Sequence, residues 1–88
     1  MADTYKIAEH VAWRRVGDDV VILDLETSVY YTLNDTGTTI WERLAQGAPL
    51  DRVIETVATD YEEGVARVTK DANALLKTLR AKKLLVPA

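Results

Sequence analysis

The first third of the chain carries short apolar segments separated by turn-forming residues, a pattern typical of β-strands. Three segments are rich in β-branched and aromatic residues and are too short for helices: Val11–Trp13, Val20–Leu25 and Val29–Leu33. Gly17–Asp19 and Glu26–Ser28 separate them with turn residues. The pattern predicts three antiparallel strands in a meander, the first of them broken by Arg14 and Arg15.

After Leu33 the apolar period changes to three or four residues, which indicates helices. A first helix is predicted to begin at the capping residues Asn34–Thr36 and to stop at Gly47, and a second to open at Pro49. A third is predicted from Glu62 or Glu63 to Lys82, with both glutamates in its first turn. Its apolar stripe consists of Val65, Val68, Ala72, Leu75, Leu76 and Leu79. Leu84–Val86 then reads as a short extended segment.

Segregated strands and helices predict an α+β domain, a three-stranded antiparallel sheet followed by three helices. Short strands beside a compact helical trio favour a winged helix-turn-helix-like arrangement. The 88 residues fit one domain spanning 1–88, and we expect residues 1–10 to be flexible.

Reactive side chains are scarce in this sequence. It has no cysteine, and His10 is the only histidine, so thiolate metal sites and catalytic triads are excluded. The adjacent acids Asp18–Asp19 and Glu62–Glu63 fall at element boundaries, where acids form turns and precede helices. We therefore expect no enzymatic activity, no cofactor and no metal.

The net charge of −3 argues against nonspecific nucleic-acid binding, which requires a positive surface. Residues 62–88 contain six basic and three acidic residues, and the basic excess fits lysines near a helix C-terminus. Residues 1–9 lack the apolar core of a signal peptide, and no apolar run is long enough to span a bilayer. We expect a cytoplasmic protein that does not bind membranes.

An ordered set of segments resembles the PqqD-like family. The resemblance rests on Val21–Thr27, Tyr30–Asn34, Gly37, Ile40–Trp41, Gly47, Val53–Ile54, Asp71, Leu75–Leu76, Leu79 and Leu84–Leu85, and extends from about Val11 to Val86. Ser28 and Lys83 depart from the family pattern, because glycine is frequent at both positions. Family members are recognition elements of pathways that make ribosomally synthesised, post-translationally modified peptides. The resemblance thus implies a protein that binds the leader segment of a precursor peptide.

The resemblance also implies a binding mode and a partner enzyme. The leader would add as a strand to Val29–Leu33, with the last helix as the second wall. The implied peptide-binding residues are Val29, Tyr30, Tyr31, Thr32, Leu33, Val68, Asp71, Ala72, Leu75 and Leu76. Among the helix residues we favour Ala72 and Leu76 for ligand contact, since they lie nearer the margin of the stripe, and expect Val68 and Leu75 to pack the core. The implied partner is a radical enzyme of the S-adenosylmethionine type or a leader peptidase of a lasso-peptide pathway.

Several alternatives remain open from the residues alone. Asp71 is either a solvated acid pairing with a neighbouring cation or an anchor for a basic residue of a ligand. At most one of Tyr30 and Tyr31 faces the core, because adjacent strand residues point to opposite faces. An unpaired strand edge also fits either a monomer or a weak dimer. The alternative function is a winged-helix DNA-binding regulator, and a small enzyme subunit is a more distant one.

Overall fold

The computed structural model describes residues 4–88. In chain order the elements are β1 (Tyr5–Ile7), β2 (Val11–Val16), β3 (Asp19–Asp24), β4 (Val29–Leu33), α1 (Asp35–Ala45), α2 (Leu50–Asp60), α3 (Val65–Ala81) and β5 (Leu85–Pro87). Strands β2, β3 and β4 form an antiparallel sheet in that order, and the three helices follow. The predicted α+β class and the winged helix-turn-helix-like order of its main elements are confirmed.

Strand β2 does not break at Arg14 and Arg15, as the pattern had indicated; it continues to Val16 in register with β3. Two interactions hold the arginine end in place. The Arg15 guanidinium donates to a Glu42 carboxylate oxygen of α1 at 2.8 Å, and its Nε donates to the carbonyl of Gly17 at 3.0 Å. The backbone ladder and these side-chain bonds outweigh the weak strand preference of the charged residues.

Two departures from the family pattern lie where the backbone turns left-handed. Ser28, in the β3–β4 turn, and Lys83, between α3 and β5, both have φ of 60°. A glycine adopts this conformation without the clash that a Cβ introduces. The frequent family glycine at both positions is therefore explained by backbone geometry.

A second sheet pairs β1 with β5, and β1 was not predicted. Tyr5 is buried and Lys6 pairs opposite Val86, so this part of the 1–10 segment is a paired strand rather than the flexible stretch expected there. The expectation for residues 1–3 lies outside the described residues. A three-residue strand of this kind carries too little pattern to be seen before its partner is known.

The helices pack around a core centred on α1. Trp41 is fully buried and meets Trp13 of β2 edge to face, with ring centroids 6.0 Å apart and the planes at 82°. Helix α3 begins at Val65, so the predicted position of two glutamates in its first turn is wrong. Glu62 adopts φ of 52° in the α2–α3 connection, which interrupts helical geometry before α3 starts. No helix among residues 4–88 has the length and apolar content to cross a membrane.

Candidate functional site

The outer side of β4 is an open strand edge, since within residues 4–88 this strand pairs with β3 alone. The direction of its backbone groups follows from the register. Leu25, just after β3, donates its N–H to the carbonyl of His10 at 2.8 Å, so odd-numbered residues along β3 bond toward β2 and even-numbered ones toward β4. Odd-numbered residues of β4 consequently bond to β3. The N–H and C=O groups of Tyr30 and Thr32 point away from the sheet, free to pair with another strand.

The two tyrosines of β4 lie on opposite faces of the sheet. Tyr31 is partly buried and packs against the core, opposite the fully buried Ile22 of β3. Tyr30 is 67% exposed, and it lies beside Leu23 on the outer face. The prediction that at most one of these rings faces the core is confirmed.

A cleft of about 550 Å³, which we call the β4–α3 cleft, opens between the end of β4 and the first half of α3. Its lining residues are Asp19, Thr32, Leu33, Asn34, Thr36, Gly37, Ile40, Glu63, Arg67, Asp71 and Leu75. β4 and α3 provide the walls, and the first turns of α1 provide the floor. Because Thr32 belongs to this lining, one of the two outward-pointing backbone positions of β4 borders the cleft.

The floor of the cleft contains apolar side chains and depends on a small residue. Leu33 and Leu75, both partly buried, supply accessible apolar surface, and Ile40 is 2% exposed. A Cβ built at Gly37 would lie 3.4 Å from the Leu33 Cβ and 3.7 Å from the Leu75 Cδ2. Glycine at this position leaves the space between those leucines open, so the cleft reaches down to the helix backbone.

The structure places the apolar residues of α3 differently from our preference for Ala72 and Leu76 as ligand contacts. Ala72 is fully buried, Val68 is 3% exposed and Leu76 is 6% exposed, so these three side chains belong to the core and not to the cleft wall. Leu75 packs against the core, as expected, but it is only partly buried and also lines the cleft. Stripe position alone did not distinguish these roles, because the wall of the cleft is formed by the flank of α3 that carries Arg67, Asp71 and Leu75.

The rim of the cleft is charged, with three acids against one base. Arg67 pairs with Glu63 at 3.7 Å across one helical turn. Asp19 and Asp71 form no salt bridge with any residue in 4–88. Asp71 is exposed, as expected for a solvated acid, and its carboxylate is accessible from the cleft.

Sequence comparison identifies the family to which these elements belong. The family described as Coenzyme PQQ synthesis protein D (PqqD) matches residues 19–85, a segment that includes β3, β4, all three helices and every residue lining the cleft. The chain belongs to the PqqD family. A search of curated proteins gives no significant match.

Two solved structures share the fold of this PqqD-family chain. One is described as TbiB1 in complex with the TbiA(beta) leader peptide; it is 30% identical, with a TM-score of 0.86 over 91% of this chain and 93% of that one. The other, described as lasso peptide synthetase B1 complexed with the leader peptide, is 24% identical, with a TM-score of 0.86 over 94% of this chain and 98% of that one. The second likeness bears on the fold alone.

His10, Asp24 and Glu26 of the PqqD-family chain form a separate group whose potential ligand atoms lie within 4.8 Å of one another. The Asp24 carboxylate accepts hydrogen bonds from the N–H of Glu26 at 2.9 Å and of Thr27 at 3.2 Å. Burial raises the pKa of Asp24, but those two hydrogen bonds and the nearby His10 side chain together lower it by more, so the pKa lies below the ordinary aspartate value. This carboxylate organises the turn that leads into β4.

Some cleft residues were not found from the sequence, among them Glu63 and Arg67. They recur at four-residue spacing with Asp71 and Leu75, which the family resemblance had implied, and the four share one flank of the helix and its lead-in, a signal that was present but partly polar. Asp19 was recognised from the sequence only as a turn residue. It reaches the cleft only because β3 lies beside the end of β4, where Val20 pairs with Leu33.

Proposed function

We propose that this PqqD-family chain binds the leader segment of a ribosomally made precursor peptide as an added strand on the open edge of β4. The observation that carries the proposal is the pair of outward-pointing backbone positions, Tyr30 and Thr32, beside an apolar-floored cleft with α3 as its second wall. Support comes from the 30% identical chain, which was solved with a leader peptide bound.

The chemistry of the edge and cleft fits an extended peptide. The four outward backbone groups of Tyr30 and Thr32 offer hydrogen bonds that do not depend on the side chains of the guest. Alternate guest residues would then enter the cleft, where Leu33, Ile40 and Leu75 receive an apolar side chain and Asp71 receives a cation. Backbone bonds supply affinity in this arrangement, and the cleft supplies selectivity.

Within this proposal the chain is a recognition module without chemistry of its own, and it presents the bound leader to a partner that is a radical enzyme of the S-adenosylmethionine type or a leader peptidase. Its cleft holds carboxylates, hydroxyls and one guanidinium, but neither the histidine nor a thiol of a nucleophilic site. Co-purification of the candidate enzyme with the chain, stronger when leader is present, tests delivery. Absence of a complex under both conditions argues against it.

The alternative of DNA binding meets an electrostatic obstacle. Helices α1 and α2 together carry five acidic residues against two arginines, so neither offers the basic surface expected of a recognition helix. A helix entering the major groove approaches phosphates on both sides and requires positive charge.

The deciding experiment is a titration of the labelled chain with the leader of the precursor encoded beside its gene, followed by NMR, with random-sequence duplex DNA as the control. We expect saturable binding at micromolar concentration or tighter. Amide shifts should concentrate in residues 29–33 and in the cleft-lining positions of α3, around Asp71 and Leu75. A chain that ignores the leader and binds DNA would overturn the proposal in favour of the regulator.

A further inference from the structure

Charges are sorted along the flank of α3 that faces β4. Asp71 lies on the cleft rim near the end of β4, where Thr32 and Leu33 are also found. At the other end of the helix, the Lys82 ammonium lies 5.1 Å from the centroid of the Tyr31 ring. Helix α3 thus runs in the opposite direction to β4, with Asp71 near the end of the strand and Lys82 near the middle of the strand.

The charges at the two ends are not cancelled by local partners. Asp19 reinforces Asp71 at the acidic end, and neither has a salt bridge within residues 4–88. Glu63 and Arg67 neutralise each other nearby. Lys82 contacts an aromatic face, an interaction that leaves its charge available, and it is followed by the exposed Lys83.

The helix sets the spacing of any guest charges that match this pattern. Lys82 follows Asp71 by eleven positions, which corresponds to roughly 16 Å along a helix axis. An extended peptide covers that length in roughly five residues. Because same-face residues of a strand are an even number apart, the matching guest residues are about four positions apart.

Strand polarity sets their order. A guest that extends the antiparallel sheet runs opposite to β4, and antiparallel pairing is the slightly more stable choice. Such a guest passes the acidic end first and the Lys82 end later. Its cation must therefore precede its anion in sequence.

We propose that, given the leader-binding function proposed above, the side of α3 next to β4 selects leaders by charge polarity, from Asp71 on the rim of the β4–α3 cleft to Lys82 beyond it. The preferred leader carries a lysine or arginine that meets Asp71 and Asp19, followed about four residues later by an aspartate or glutamate that meets Lys82. The same charges in the reverse order are disfavoured, since each then lies near a like charge of the chain.

Two peptides of identical composition test this selection. Both derive from the leader of the precursor encoded beside the gene, and NMR first identifies the leader segment that binds β4. At the two same-face positions that flank this segment, one peptide has lysine then glutamate. The other peptide has glutamate then lysine. Two exposed charge pairs changed from attraction to repulsion should separate their affinities by roughly tenfold at low salt. The difference in affinity should shrink at 0.5 M salt, because the Debye length falls to about 4 Å and the charges are screened.

A charge-swapped chain, Asp71→Lys with Lys82→Glu, is the matched control, since both side chains are exposed and the substitutions leave the core untouched. It should reverse the preference and bind the glutamate-first peptide more tightly. Equal affinity of the wild-type chain for both peptides, with the β4 shifts intact, would overturn the polarity inference while leaving leader binding in place. Loss of binding for both peptides and for the unaltered leader would instead contradict the proposed function itself.

Discussion

Replacing Thr32 by proline isolates the hydrogen-bonding role of the β4 edge. The register directs the Thr32 N–H away from β3, so proline removes a donor that the folded sheet does not use. Proline is tolerated at such positions on edge strands, and the extended Tyr31 before it already has the conformation that a following proline requires. We expect the variant to stay folded, with a loss of about 1 kcal/mol or less in unfolding free energy.

The effect on leader binding should be far larger. One backbone hydrogen bond contributes about 0.5–1.5 kcal/mol net, and a leader carbonyl left without its donor inside the interface costs about 1–3 kcal/mol more. The proline ring also occupies the space where the added strand would lie. Together these terms predict a loss of about 2–4 kcal/mol, or roughly 30- to 1000-fold in affinity.

Isothermal titration calorimetry with the leader measures this loss, and circular dichroism melting checks the fold. Thr32→Val is the matched control, because it keeps the N–H and the β-branched shape and should bind within a few-fold of wild type. Tyr31→Pro is the opposite control, because the Tyr31 N–H faces β3 and losing that hydrogen bond should unfold the sheet. Wild-type affinity in a folded Thr32→Pro chain would refute strand addition at β4.

Four further substitutions probe the cleft and the core beside it, the left-handed turn before β5, and the β3–β4 turn. Leu75→Ala should weaken leader binding by roughly tenfold with little loss of stability. Leu76→Ala should lower the unfolding free energy measured in urea by about 2–5 kcal/mol and leave the affinity of the folded molecules unchanged. The reverse pattern would mean that the wall of the cleft is misassigned. Lys83→Gly should raise unfolding free energy by about 1 kcal/mol by relieving the left-handed backbone, and an unchanged melting temperature would count against that strain. The contribution of Asp24 to wild-type stability should be complete above the ordinary aspartate pKa and should be lost as pH falls through the lowered pKa of the folded protein. Asp24→Asn should be less stable at neutral pH and should lose less stability on acidification; an equal loss in both proteins would contradict this.

Local patterns determined the main elements of this protein. The β-branched and aromatic segment Val29–Leu33 corresponds to β4, because such residues favour strands. The apolar period of three to four after Asn34 corresponds to the three helices, because burial of one helix face requires that period. The lack of cysteine and the single His10 bounded the chemistry for the same local reason, since reactive sites need particular atoms. The ordered family resemblance added the expectation of leader binding.

Only the tertiary structure decided which surfaces are accessible. Leu75 and Leu76 are adjacent in sequence and equally apolar, yet one lines the cleft and the other packs the core, because the position of α1 and β4 around α3 determines which side of the stripe is covered. Strand β1 exists only through its pairing with β5, almost the full length of the chain away. The outward direction of the Thr32 N–H likewise depends on register, which a one-residue slip would invert.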